Sequence, residues 1–96
     1  MSKVPARSAV KTAIQMIHRL KPGTSLQILN FKKDRSVSIV RHPNGHMDVI
    51  EQGFVQQVWS VDDDTASTVL KEAIPREFPR SHELRFTVKN AHEKAE

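Results

Sequence analysis

Between Leu26 and Val61 the chain alternates apolar and polar residues in four segments: Leu26–Lys32, Arg35–His42, His46–Gln52 and Phe54–Val61. Only Lys33-Asp34, Pro43-Asn44-Gly45 and Gln52-Gly53 separate them. A parallel crossover needs a dozen or more residues, so connections this short force neighbouring strands to run antiparallel. The stretch therefore predicts a four-stranded meander.

The flanks supply what covers it. Val10, Ala13, Ile14, Ile17 and Leu20 recur at spacings of three and four, predicting a helix from about Ala6 to Lys21. Pro5 suits its first turn, and Pro22-Gly23 stops it. Arg7, Lys11, Gln15, His18 and Arg19 fall on the opposite side, as on the outer side of any amphipathic helix. A second helix is expected from about Thr65 to Ile74, broken by Pro75 and Pro79. Leu84, Phe86 and Val88 alternate with Glu83, Arg85, Thr87 and Lys89 and predict a fifth strand. The order α-β-β-β-β-α-β reads as an α+β two-layer sandwich. Its antiparallel sheet has the expected order 5-1-2-3-4, with both helices on one face. Residues 1–96 are expected to make one small domain, with an ordered body over about 5–89 and a polar tail over 90–96.

The turn HPNGH holds the first candidate chemistry. Pro-Asn-Gly suits a three-residue loop with glycine in the left-handed region. That register opposes His42 with His46 and Val40 with Asp48. Two imidazoles and a carboxylate are the beginning of a zinc or copper site at His42, His46 and Asp48. A hairpin tip offers little to orient such ligands, so a solvated histidine pair is the favoured reading. No other cofactor is implied by the residues.

In the same register Leu26, Ile28, Val37, Ile39, Met47, Val49, Phe54 and Val58 share the face under the helices. The opposite face carries Leu29, Phe31, Val40, Ile50, Val55, Trp59 and Val61 among polar residues, with Trp59 opposite His46. A mixed apolar patch on a face that nothing covers implies a partner, most simply a second copy of the chain. The leading expectation is thus a non-catalytic binding or assembly module that forms a homodimer through Leu29, Phe31, Val40, Ile50, Val55 and Trp59.

Charge supplies the alternative. The chain carries a net charge of +4, but residues 1–42 hold nine Lys or Arg against one acid. A polyanion would bind there. The candidate phosphate contacts are Lys32, Lys33, Arg35 and Arg41, with Arg7 and Lys11 on the first helix. Phe31, Trp59 and the histidines are candidate base stackers.

Other segments read more plainly. VDDDTAS, Val61 to Ser67, is read as a helix cap with acids at the dipole's positive end. REFPRSHELR, Arg76 to Arg85, gathers three arginines and a histidine and is read as a connector in preference to a recognition loop at the end of the second helix. The three glycines all fall in turns, and no phosphate-cradling loop or nucleophile elbow is present. Without cysteine there is no disulfide, thiolate metal site or cysteine nucleophile. The first residues lack an apolar signal core, and no run reaches membrane-spanning length. A cytoplasmic, membrane-free, non-enzymatic protein is expected.

Overall fold

Leu26, Ile28, Val37, Ile39, Met47 and Val49 alternate onto one side of the sheet, and all six are fully buried. The computed structural model describes residues 2–90, which form an α+β fold of two helices and a six-stranded antiparallel sheet. In chain order the elements are β1 (Ser2–Pro5), a 3-10 turn (Ala6–Ser8), α1 (Ala9–His18), β2 (Thr24–Leu29), β3 (Ser36–Arg41), β4 (Met47–Gln52), β5 (Gln56–Val61), α2 (Asp63–Glu77) and β6 (Glu83–Asn90). The six strand residues pack against Ala9, Ala13 and Ile17 of α1 and Ala66, Leu70, Ala73 and Ile74 of α2. Among the described residues no helix is long and apolar enough to cross a membrane.

The sheet order is β1-β6-β2-β3-β4-β5. The expected order of five strands is therefore corrected to six. The five expected strands keep their neighbours, and Ser2–Pro5 adds to the outer edge of β6. Four residues with one inward apolar side chain, Val4, carry no periodic signal; backbone pairing with β6 makes them a strand. Pro5 consequently ends a strand, and α1 begins later than expected, at Ala9. Asn90, expected in the tail, is the last residue of β6; the rest of that tail, 91–96, lies outside the described residues.

The β3–β4 hairpin has the expected three-residue loop. Arg41 opposes Met47, the His42 N–H donates to the His46 carbonyl at 2.7 Å, and Gly45 takes φ 91°. The β4–β5 hairpin does not follow expectation. Its loop is Gly53-Phe54-Val55 rather than Gln52-Gly53, and Trp59 opposes Val49 instead of His46. The pairing slips by an odd number of residues, so every β5 side chain changes face. Trp59 and Val61 join the helix side, while Val58 turns to the open side and is 59% exposed. Phe54, expected in the core, lies exposed in the loop.

The cause lies in α2. Asp62 caps its start, accepting from the Thr65 N–H at 2.8 Å. Pro75 does not break it. A proline in the last turn removes one donor, and the helix closes with the Phe78 N–H donating to the Ile74 carbonyl at 3.0 Å. The chain thereby carries Glu77 inward, fully buried. Its Oε1 accepts from the Phe54 N–H at 2.8 Å and its Oε2 from the Val55 N–H at 3.0 Å. The carboxylate thus satisfies two loop donors that a two-residue turn would have placed elsewhere. Gly53 is required beside it, because a Cβ there would collide with Glu77 Oε1 and approach Arg35 Cγ to 2.9 Å.

Glu51, also fully buried, lies next to Glu77 and takes both ends of Arg76, from Nε at 2.9 Å and Nη2 at 2.8 Å. Burial would push Glu51 up, but the Arg76 fork and a hydrogen bond with Glu77 bring it below the usual carboxyl range. Burial, and then the neighbouring Glu51, push Glu77 up against the pull of its two backbone donors. The two buried carboxyls thus shift in opposite directions beside one guanidinium.

Gly53→Ala should lower unfolding free energy by about 1–3 kcal/mol, the range for forcing atoms into a packed site, as read by urea denaturation. A loss below about 0.5 kcal/mol, the scale of a neutral surface change, would show that the loop has room. The pH response follows from the raised Glu77 value. Its contribution is fully present below the ordinary carboxyl range and is lost as pH rises through the raised folded value. Stability measured across that window should fall for the wild type and stay flatter for Glu77→Gln. Parallel curves for the two proteins would contradict the raised Glu77 value.

Candidate functional site

Outward residues of β6, the β2–β3 loop and the segment after α2 converge at one end of the sheet. They enclose an open groove of about 700 Å³. Its lining includes Lys3, Lys32, Arg35, Arg80 and Arg85, with His82, against two acids, Asp34 and Glu83. Five permanent cations around one concavity focus positive potential there.

Each wall has a local reason. Lys3 and Arg85 are opposed residues of β1 and β6, which puts two cations side by side on the open face. The β2–β3 loop spans residues 30–35, because β2 ends at Leu29 and β3 starts at Ser36. Asn30 organises this loop. Its Nδ2 donates to Asp34 Oδ1 at 2.5 Å, its Oδ1 accepts from the Arg35 N–H at 3.2 Å, and Lys33 adopts φ 61°. The bond from Asn30, ahead of the charges of Arg35 and Lys32, holds the Asp34 carboxyl below its ordinary value. Phe31 is carried outward at 76% exposure, with the Arg85 guanidinium 5.3 Å from its ring centre. Arg35 stacks on Phe54 at 3.6 Å, and its Nη1 donates to the Glu77 carbonyl at 3.3 Å.

The third wall is held at both ends. Phe78 is buried, and Ser81 N–H reaches its carbonyl at 3.4 Å. The Ala6 N–H donates to the His82 carbonyl at 2.8 Å. The segment read as a connector thus presents Arg80 and His82 to the groove. These two, with Lys3 and Arg85, are site residues that sequence reasoning missed. The available signal was the expected pairing of the last strand beside the first meander strand, which sets Arg85 next to the hairpin tip Lys32–Arg35, KKDR.

The other expected residues are distributed elsewhere. Lys33 is exposed in the same loop but does not line the groove. Arg7 and Lys11 are exposed in the helical layer, outside it. Arg41 points to the helix side, where its side chain is 12% exposed. Its guanidinium donates to the Ile17 carbonyl and the Gly45 carbonyl, both at 3.0 Å, and lies 3.4 Å from Asp63. It ties the end of α1 to the start of α2 and is not on the basic surface.

His42, His46 and Asp48 stand at the opposite end of the sheet. His42 Nε2 is 2.9 Å from Asp48 Oδ2, and this contact chiefly lowers the Asp48 value. His46 Nε2 turns instead to Ser60 Oγ. Among the described residues no three His, Asp, Glu or Cys side chains group closely enough to hold a metal ion. The second histidine is drawn away by its own hydrogen bond.

Of the expected apolar patch, Leu29, Val40 and Ile50 are half-buried on the open face. Phe31 and Val55 are in loops, and Trp59 is on the other face. Beside them the open face presents Thr87, Gln27 and Ser38, paired in a polar row across β6, β2 and β3. The chain matches no protein-family model, no curated protein and no solved structure.

Arg41→Ala should lower stability by about 2–3 kcal/mol, because it removes charged hydrogen bonds to two carbonyls and a carboxylate. Chemical denaturation reads this directly. A change within about 0.5 kcal/mol, typical of an exposed surface site, would place Arg41 among dispensable surface cations.

Proposed function

We propose that this chain is a non-catalytic binding protein for single-stranded nucleic acid, taken in the groove between the β2–β3 loop and residues 79–83. The observation that carries the reading is the placement of exposed Phe31 among Lys3, Lys32, Arg35, Arg80 and Arg85. Cations neutralise phosphates without regard to sequence, and an open aromatic ring stacks an unpaired base. A duplex offers no free base face, so the aromatic favours a single strand. Assembly through the open face has less support, because Trp59 and Val61 lie on the helix side and polar residues separate Leu29, Val40 and Ile50.

The reading is tested by fluorescence anisotropy with labelled mixed-sequence RNA and DNA strands. Affinity should fall steeply with salt, by a slope of about 0.7 per phosphate contact. Phe31→Ala should weaken binding about tenfold to a hundredfold, the worth of one stacked base. The double change Lys32→Glu and Arg80→Glu should abolish it with the circular dichroism spectrum unchanged, whereas Arg7→Glu and Lys11→Glu should leave it intact. No binding even at low salt would overturn the assignment.

A further inference from the structure

The sheet ends in two unlike edges. On one side β1 is short and carries Lys3 and Pro5, both of which discourage a further strand. On the other side, among the described residues, β5 pairs only with β4, leaving one row of its backbone donors and acceptors without a sheet partner. Its sequence QQVWSV has no charge, proline or glycine. Natural edges of this kind normally carry a guard, and β5 has none. Among the described residues, two of the four exposed large hydrophobic side chains, Phe54 and Val58, line this edge at 63% and 59% exposure. Beside it a shallow hollow of about 280 Å³ is bounded by Ile50, Gln52, Gln56 and Val58.

We infer that β5 is the site where a second copy of this chain adds, antiparallel and about a two-fold axis through Val58, joining two six-stranded sheets into one. The groove lies toward the other edge and shares only Arg35 with this contact. Residues opposed across antiparallel strands must share a face, so only pairings that match like with like in the pleat are allowed. Centring on Val58 sets Val58 against the partner's Val58 and Val55 against the partner's Val61. Gln56 then meets the partner's Ser60, and Gln57 the partner's Trp59. On the open side the row already contains Ile50 beside Val58. The second copy extends it to four consecutive apolar side chains and brings apolar surface to the hollow. The ends also match in charge. Asp62, just beyond β5, arrives opposite the partner's Phe54, on which the Arg35 guanidinium is stacked at 3.6 Å. Unlike charges thus meet at both ends of a neutral strand, which makes the patch self-complementary in charge.

Sedimentation equilibrium on the full chain is the test. The mass should rise from 10.9 kDa toward twice that value with concentration. A mass fixed at the monomer up to millimolar concentration would overturn the inference. Val58→Lys should remain monomeric while keeping the wild-type circular dichroism spectrum; Gln56→Lys serves the same purpose if Val58→Lys does not fold. Dimerisation of a folded lysine variant as tight as the wild type would move the interface off β5. Because the chain has no cysteine, a single one reports geometry cleanly. Val58→Cys should oxidise rapidly to a disulfide dimer. Val88→Cys, at a similarly exposed position on β6, should not. Equal cross-linking at the two positions would also count against the two-fold axis proposed.

Discussion

The carboxylate of Glu77 decides more of this structure than any other polar group. It ends α2 inside the protein and receives the amides of Phe54 and Val55. That contact sets the length of the β4–β5 loop, and loop length sets the register of β5. Register then decides that Trp59 and Val61 complete the helix side and that Val58 faces outward. A buried acceptor of this kind is effective because each amide it satisfies would otherwise be stranded away from water. Burial also makes Glu77 sensitive to its neighbour. Glu51 and Arg76 share the site, and the two carboxyls settle on opposite sides of their ordinary values.

The same residue joins two regions that otherwise have separate origins. Arg35 donates to the Glu77 carbonyl while lining the basic groove, so the end of α2 steadies the hairpin that carries Phe31. Beyond Glu77 the chain turns through buried Phe78 into the segment that presents Arg80 and His82. The groove and the free β5 edge thus lie on either side of one buried hub. Charge separates their roles: cations surround the groove, and β5 carries none.

Turn chemistry proved legible where it was local. Pro43-Asn44-Gly45 encodes a left-handed glycine, and the β3–β4 register follows from it. Gln52-Gly53 looks like an equally short turn, yet its geometry answers to a carboxylate more than twenty residues away. The β2–β3 loop shows an intermediate case. Its Asn30–Asp34 bond is local, yet the loop runs over residues 30–35 and leaves Phe31 outside the strand. Arg41 sits in a basic stretch that suggests a phosphate contact, and only packing reveals the helix end and the aspartate that hold it.

By itself the sequence determined the α+β class, the antiparallel meander, the inward set from Leu26 to Val49 and the place of the last strand beside the first meander strand. These follow from periodicity and connection length, which act between residues close along the chain. Tertiary structure alone decided the sixth strand, the face of every β5 residue and the convergence of Lys3, Arg80 and Arg85 with the KKDR hairpin. The physical reason is the same in each case. An edge strand is made by another strand's backbone, a register by a distant acceptor and a groove by loops that meet only when the sheet is assembled.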